Sequence, residues 1–225
     1  MQPLRIEWKF TTPLILSDSN PVHLDALLAW AKVDEAIKDE EEAPYSFQEQ
    51  LPLYRSEGVW QASQLVFEPD SHPFNISMIR QFEGLRIMLG FDTEYTKKAY
   101  SKSDYNQGSG PYKGYDMRQR CQWMKKATAW CVGDAEEIRV LLNRVDRIGK
   151  LARNGFGRVS SIEIVEDIAA NENWLLRVLP EGFERQSGAV PYARIMSPIS
   201  PPYWDKTRMI EARKPLIDSS ELGWI

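Results

Sequence analysis

Residues 4–10 alternate strictly. Leu4, Ile6, Trp8 and Phe10 share one face, and Arg5, Glu7 and Lys9 share the other. A period of two predicts a half-buried strand. Thr11-Thr12-Pro13 ends it, and Ser19 or Asn20 is placed to cap a helix with Pro21 in its first turn. Leu24, Leu27, Leu28 and Ala31 then recur at helical spacing, and the pattern fades near Ile37. Segments 59–67 and 74–82 are strand candidates with partial alternation, and 85–89 adds a shorter one. Segment 92–116 is polar, rich in Tyr and Gly, and without a period. It is expected as a long loop of the size that carries function. Strand composition returns over 120–132, where Trp123 and Trp130 are expected in the core. Gly133 breaks it. Asp134 with Glu137 predicts a capped helix carrying Ile138, Leu141, Leu142, Val145 and Ile148, stopped by Gly149. Strands are expected over 158–165 and 174–179. After Pro180 five further prolines predict an extended tail anchored by Tyr192, Tyr203 and Trp204.

Without insertions the order is strand, helix, strand, strand, helix, strand. That is the split β-α-β order of an α+β, ferredoxin-like (RRM-like) fold. The order alone decides no function. The expected layout is one domain over 1–225, with a core over about 3–179. Onto it are built an acidic insertion over about 34–57, a basic thumb-like loop over about 92–116 and a tail over 180–225.

Composition changes little: 225 residues, 43% hydrophobic and 27% charged, are ordinary for a globular chain. Two histidines (His23, His72) and two cysteines (Cys121, Cys131) form no C-x-x-C pair, so no metal site and no cofactor are expected. The cysteines read as reduced packing residues, no apolar run reaches bilayer length, and the start lacks a signal-peptide core. The expectation is a cytoplasmic protein with no membrane partner. Phosphate-loop, zinc-protease and serine-hydrolase motifs are absent.

The net charge of −4 argues at first against nucleic acid, but it averages opposed segments. Residues 34–57 hold eight acids and two bases, −6, and with Pro44 and Pro52 read as a solvated excursion. Residues 95–130 hold eight bases and two acids, +6, interleaved with seven aromatic rings. Residues 139–158 hold six bases and one acid, +5. Bases for phosphates and rings for unpaired bases are what single-stranded RNA binding requires. Candidate contacts are Lys97, Lys98, Lys102, Tyr105, Tyr112, Lys113, Arg118 and Arg120.

The segment from Arg147 to Arg158 is the most informative. It reads Gly149-Lys150-Leu151-Ala152-Arg153-Asn154-Gly155-Phe156-Gly157-Arg158, between the second helix and the last core strand. Glycines let backbone amides approach a ligand, and Lys150, Arg153 and Arg158 offer charge-assisted bonds to phosphate. The preceding helix points its C-terminus here, so its dipole gives an anion no help.

This loop, in this element order, resembles the glycine-rich loop of the RAMP superfamily of CRISPR proteins. Gly155-Phe156-Gly157 matches the second half of the family's pattern. Arg147 stands where its first glycine belongs. The opening strand, the segment from Pro21 to Trp30, and the tail through Tyr192, Arg194, Tyr203 and Trp204 resemble the small RAMP subunit of type IV CRISPR effector complexes. The resemblance covers most of the chain from about Leu4 to Trp204. It implies a non-catalytic RNA-binding subunit that holds the 5′ handle of crRNA through Gly149, Lys150, Arg153, Asn154, Gly155, Phe156, Gly157, Arg158 and the basic loop. It also implies partners: the repeated backbone RAMP subunit whose filament it caps, the large subunit, a helicase through the assembled complex, and target DNA indirectly. The alternative is a metal-independent crRNA-processing endoribonuclease with His23 as general acid/base. A capping or positioning histidine is the simpler assignment for His23, and a turn residue for His72.

Overall fold

The structure is a computed structural model that describes residues 1–16, 21–80, 114–185 and 190–217. The chain divides into two compact units, 1–73 with 122–225, and 74–121. Among the described residues the strands are β1 (Gln2–Phe10), β2 (Arg55–Ser56), β3 (Val59–Trp60), β4 (Val66–Pro69), β5 (Phe74–Arg80), β6 (Tyr115–Cys121), β7 (Met124–Gly133), β8 (Val159–Glu166), β9 (Leu179–Pro180), β10 (Tyr192–Ser197) and β11 (Ile210–Pro215). The helices are α1 (Leu24–Lys38), α2 (Ala135–Leu142) and the single turn α3 (Ala170–Asn173). None is long and apolar enough to cross a membrane.

The central sheet of the first unit has the order β4-β7-β1-β8, all antiparallel. With α1 after β1 and α2 after β7, this is the α+β, split β-α-β arrangement that the sequence pattern predicts. Register follows the pleat. Leu4, Ile6 and Trp8 lie opposite Cys131, Ala129 and Ala127 of β7, and all six are buried. The small residues of β7 leave room for Trp8 and for Leu24, Leu28, Ile138, Leu141 and Leu142 in one core. A second apolar cluster joins Val59, Trp174, Leu175, Leu179 and Phe183.

Several elements differ from the pattern. The N-cap of α1 is His23, not Ser19 or Asn20, which lie outside the described residues. The predicted strand over 120–132 is divided at Gln122-Trp123. There Gln122 Nε2 donates to the Ser71 carbonyl (2.6 Å) and Trp123 N donates to Ser71 Oγ (3.1 Å). Trp123 is accordingly exposed and Trp130 only half-buried, so neither is a core residue. Asp134 caps α2 as expected, accepting from Glu136 N and Glu137 N, but the helix ends at Leu142. Val145 and Ile148 reach the core from the following turn. Segment 174–179 is a strand only at Leu179, where β9 begins. It leaves α3 in turns that bury Trp174, Leu175, Leu176, Val178 and Leu179. The acidic segment 34–57 is only partly solvated, because Ala36, Leu51 and Leu53 are buried. Beyond Pro180 the chain forms a sheet of order β10-β11-β9, with Tyr192 OH donating to the Leu175 carbonyl (2.8 Å). Trp204 anchors nothing there and is 78% exposed.

The second unit, described by itself, is the antiparallel ribbon β5-β6. Asn75, Ser77 and Ile79 face Arg120, Arg118 and Asp116 across the strands, and the residues between them fall on the opposite side. One side of the ribbon thus carries Asn75, Ser77, Ile79, Asp116, Arg118 and Arg120, and the other Phe74, Ile76, Met78, Arg80, Tyr115, Met117, Gln119 and Cys121. Of the predicted loop 92–116, Tyr115 and Asp116 lie in β6. Lys97, Lys98, Lys102, Tyr105, Tyr112 and Lys113 lie outside the described residues.

Candidate nucleic-acid interface and a buried arginine

The glycine-rich segment closes on itself. Arg147 and Arg158 form an antiparallel bridge, with Ile148 N donating to the Gly157 carbonyl (2.9 Å) and Val159 N to the Asp146 carbonyl (2.9 Å). Between them lies a single 3-10 turn, Ala152–Asn154. The loop is also tied to the chain after β1. Lys150 N donates to the Ile15 carbonyl (2.7 Å), Gly157 N to the Pro13 carbonyl (2.9 Å) and Arg158 N to Thr12 Oγ1 (2.8 Å). Two glycines are required by this closeness. Gly157 has φ +66°, and a Cβ there would lie 1.8 Å from the Ile148 carbonyl oxygen. Gly149 has φ +100°, and its Cβ would lie 2.8 Å from the Ile15 oxygen.

The loop glycines therefore serve packing more than the ligand approach expected of them. The amides of Ile148, Lys150, Asn154, Gly155, Gly157 and Arg158 are already spent on protein acceptors. What the loop presents outward is side chains. Lys150, Arg153, Asn154 and Arg158 are exposed, Phe156 is half-buried and Gly157 is buried. Among the described residues Lys150, Arg153 and Arg158 make no ion pair. Arg147, by contrast, donates Nη1 to the Ala152 carbonyl (3.0 Å) and lies 3.7 Å from Asp146. Of the sheet's four cations three are paired, and Lys9 of β1 is exposed with no ion pair among the described residues. Arg5 meets Glu7 (2.9 Å) and Asp167 (3.3 Å), Lys126 meets Glu7 (3.2 Å) and Lys125 meets Glu68 (2.7 Å). Most of the sheet's cations are thus neutralised, whereas Lys150, Arg153 and Arg158 of the braced loop are available. Arg118 and Arg120, which share one side of the ribbon, belong to the other unit.

His23 sits elsewhere, at the start of α1, and is 3% exposed. Its ring stacks on Tyr203 (centroids 4.4 Å apart, planes 10° from parallel), and Nδ1 has no partner among the described residues. Burial holds its pKa well below the ordinary histidine value, and the Arg177 and Lys214 charges push the same way. The imidazole is neutral near pH 7.

Beside it lies a group that pattern reading missed. Arg177 is fully buried, yet its guanidinium is saturated. Nε donates to the Val178 carbonyl (3.2 Å). Nη1 donates to those of Trp60 (2.6 Å) and Ala62 (2.9 Å). Nη2 donates to Asp25 Oδ2 (3.0 Å), the Ile199 carbonyl (2.6 Å) and Tyr203 Oη (2.7 Å). Tyr203 Oη in turn donates a hydrogen bond to Asp25 Oδ2 (3.0 Å). Burial raises the Asp25 carboxyl above its usual range despite Arg177 and Tyr203. Burial opposes the charge on Arg177 most strongly, but Asp25 and Tyr203 together outweigh it and the net shift is upward. One side chain thereby fastens α1, the stretch after β3 and the proline-rich tail. Two signals existed: an arginine inside Trp174-Leu175-Leu176-Arg177-Val178-Leu179, and an aspartate beside the apolar face of α1. Among the described residues no cluster of His, Cys, Asp or Glu is placed to hold a metal ion.

A family model described as CRISPR type IV associated protein Csf3 matches residues 2–215, nearly the whole chain. The chain belongs to this family. The resemblance carried by the glycine loop, the first helix and the tail holds at that level. No curated protein matches the Csf3-family chain. A chain in a solved structure described as "Cryo-EM structure of the Type III-B Cmr-beta bound to cognate target RNA" is similar to it at 10% identity and a TM-score of 0.37. The match covers 73% of this chain and 61% of that one. The Csf3-family chain thus spans less than two thirds of that protein's length.

Proposed function

We propose that this Csf3-family chain is a non-catalytic, RNA-binding structural subunit of a type IV CRISPR ribonucleoprotein. In this role it holds the 5′ handle of crRNA in the cytoplasm and caps the filament of repeated backbone RAMP subunits. The large subunit is a further neighbour, and a helicase and target DNA are reached through the assembled complex. The observation that carries the reading is the set of exposed, unpaired cations Lys150, Arg153 and Arg158 on a loop braced by its own amides. A rigid cationic edge loses little conformational entropy when it binds a backbone. Phosphate contacts of this kind position RNA, whereas splayed bases supply the sequence information.

The absence of a catalytic step is part of the proposal. A general acid/base must come within about 3 Å of the proton it moves. His23 has one ring face covered by Tyr203, is almost fully buried and is held neutral. These properties favour a positioning role at the helix start over the endoribonuclease alternative.

Two incubations test this. Handle-bearing RNA should bind more tightly than a scrambled-handle control, with affinity falling as salt rises. Repeat RNA incubated without metal should remain intact. Equal affinities without a salt slope would overturn RNA holding. Cleavage to 2′,3′-cyclic phosphate that vanishes in His23→Ala would restore the enzyme reading.

A further inference from the structure

The positive charge of the glycine loop continues onto the sheet. Lys9, near the end of β1, is exposed and makes no ion pair among the described residues. Its neighbours Trp8 and Phe10 pack into the core, so Lys9 lies on the face of the sheet turned away from it. Lys9 stands opposite Ser161 of β8, and the next pair is Phe10 with Val159. One extra residue, Ser160, is thus bulged out of β8 at this point. Ser160 and Ser161 are both exposed, and neither hydroxyl has a partner among the described residues. β8 is an edge strand, so no further strand of the sheet covers the bulge.

The bulge is joined directly to the loop. Thr11 N donates to the Arg158 carbonyl (2.9 Å), and Arg158 N donates to Thr12 Oγ1 (2.8 Å). Arg158 is therefore clamped to the residues that follow Lys9, with its own side chain exposed. Lys9 precedes Thr11 by two residues, about 7 Å of extended chain. The other end of the strip is closed. Glu7 holds Arg5 (2.9 Å) and Lys126 (3.2 Å), and Glu163 of β8, opposite Glu7, is exposed. The available cations thus run from Lys150 and Arg153 through Arg158 to Lys9 and stop before a neutralised band with an exposed carboxylate. Bulges re-aim side chains beside functional sites. A lysine and two unpartnered hydroxyls across a bulge offer one charge and two neutral donors, a set suited to a phosphate.

We infer that Lys9, Ser160 and Ser161 form a second phosphate seat for single-stranded RNA, beside the one at Arg158. The RNA backbone then leaves the glycine loop along the β1–β8 edge, and not across the middle of the sheet. This rests on the RNA-holding role proposed above, and adds to it a direction and a contact outside the loop. The seat is held by strand register and the loop's brace, so little ordering is needed on binding.

The test measures handle-RNA affinity across salt with the full chain in its assembled complex. Lys9→Ala should make the slope of log K against log salt shallower by about 0.7 and lower affinity at low salt at least about threefold. Lys9→Arg should restore both. Ser160→Ala combined with Ser161→Ala removes only neutral donors, so affinity should fall about threefold with the slope unchanged. A neutral methylphosphonate is then placed at each handle linkage in turn. One linkage should make Lys9→Ala silent, and it should adjoin the linkage that silences Arg158→Ala. If the combined alanine variant of Lys150, Arg153 and Arg158 changes the slope and Lys9→Ala does not, the seat is overturned and RNA holding stands. If neither changes it, both fall. A Lys9→Ala effect that no single linkage silences would also overturn the seat, because it would report only the field of the whole surface.

Discussion

Replacing Arg177 by methionine removes the fastener between α1 and the tail while keeping most of the side-chain volume. The guanidinium satisfies Asp25, the hydroxyl of Tyr203 and the carbonyls of Val178, Trp60, Ala62 and Ile199, with no exposure to water at Arg177 or Asp25. Removing one member of a buried ion pair costs about 3–5 kcal/mol, because the other charge is left uncompensated. Each orphaned carbonyl adds to that, less than additively. The expected loss for Arg177→Met is therefore at least about 3 kcal/mol, or a melting temperature lower by about 10 °C for a chain of this size. The assay is urea unfolding followed by tryptophan fluorescence, with circular dichroism as a second probe. Adding Asp25→Asn should recover about 1 kcal/mol or more, since the unpaired charge disappears. A loss under about 1 kcal/mol, or purely additive effects in the double variant, would refute the fastening role.

Further predictions concern titration, glycines and thiols. His23 is neutral in the fold with a depressed pKa, so below the unfolded value of about 6.5 the unfolded chain binds the extra proton. Its contribution to stability is present above pH 6.5 and lost as pH falls toward the folded pKa. His23→Phe should flatten this part of a stability–pH curve measured by urea unfolding. Gly157→Ala should cost more than about 2 kcal/mol, combining positive φ with a backbone clash. Gly155→Ala, with positive φ (+97°) but open space, should cost about 1 kcal/mol in the same assay. Burial pushes the Cys131 thiol up to about 12, so it should resist iodoacetamide in the folded protein and react once urea unfolds it.

The pattern of the chain revealed elements whose signals are local. The alternation of β1, the Asp134 cap and the helical spacing of Leu24, Leu28 and Ala31 each lie within a few residues, and the sheet order follows from their sequence. What stayed hidden depends on distant partners. Arg177 stands inside a segment expected as a strand, and all its acceptors except the adjacent Val178 carbonyl lie 22 to 152 residues away. The roles of Trp123 and Trp204 are reversed from expectation, since apolar composition does not reveal which side of a turn faces inward. In the glycine loop the residue types were legible and their division of labour was not. Only the bonds to Pro13 and Ile15 show that glycines brace the loop while Lys150, Arg153 and Arg158 face outward.

The central claim is that this outward set grips crRNA. The direct measurement is handle-RNA affinity across salt for the native chain and for Lys150→Ala, Arg153→Ala, Arg158→Ala combined, all in the assembled complex. Each phosphate contact to a single strand contributes about −0.7 to the slope of log K against log salt. The slope should become shallower by about 2 in the triple variant, with affinity at low salt falling at least tenfold. An unchanged slope with affinity within twofold of the native chain would contradict the account.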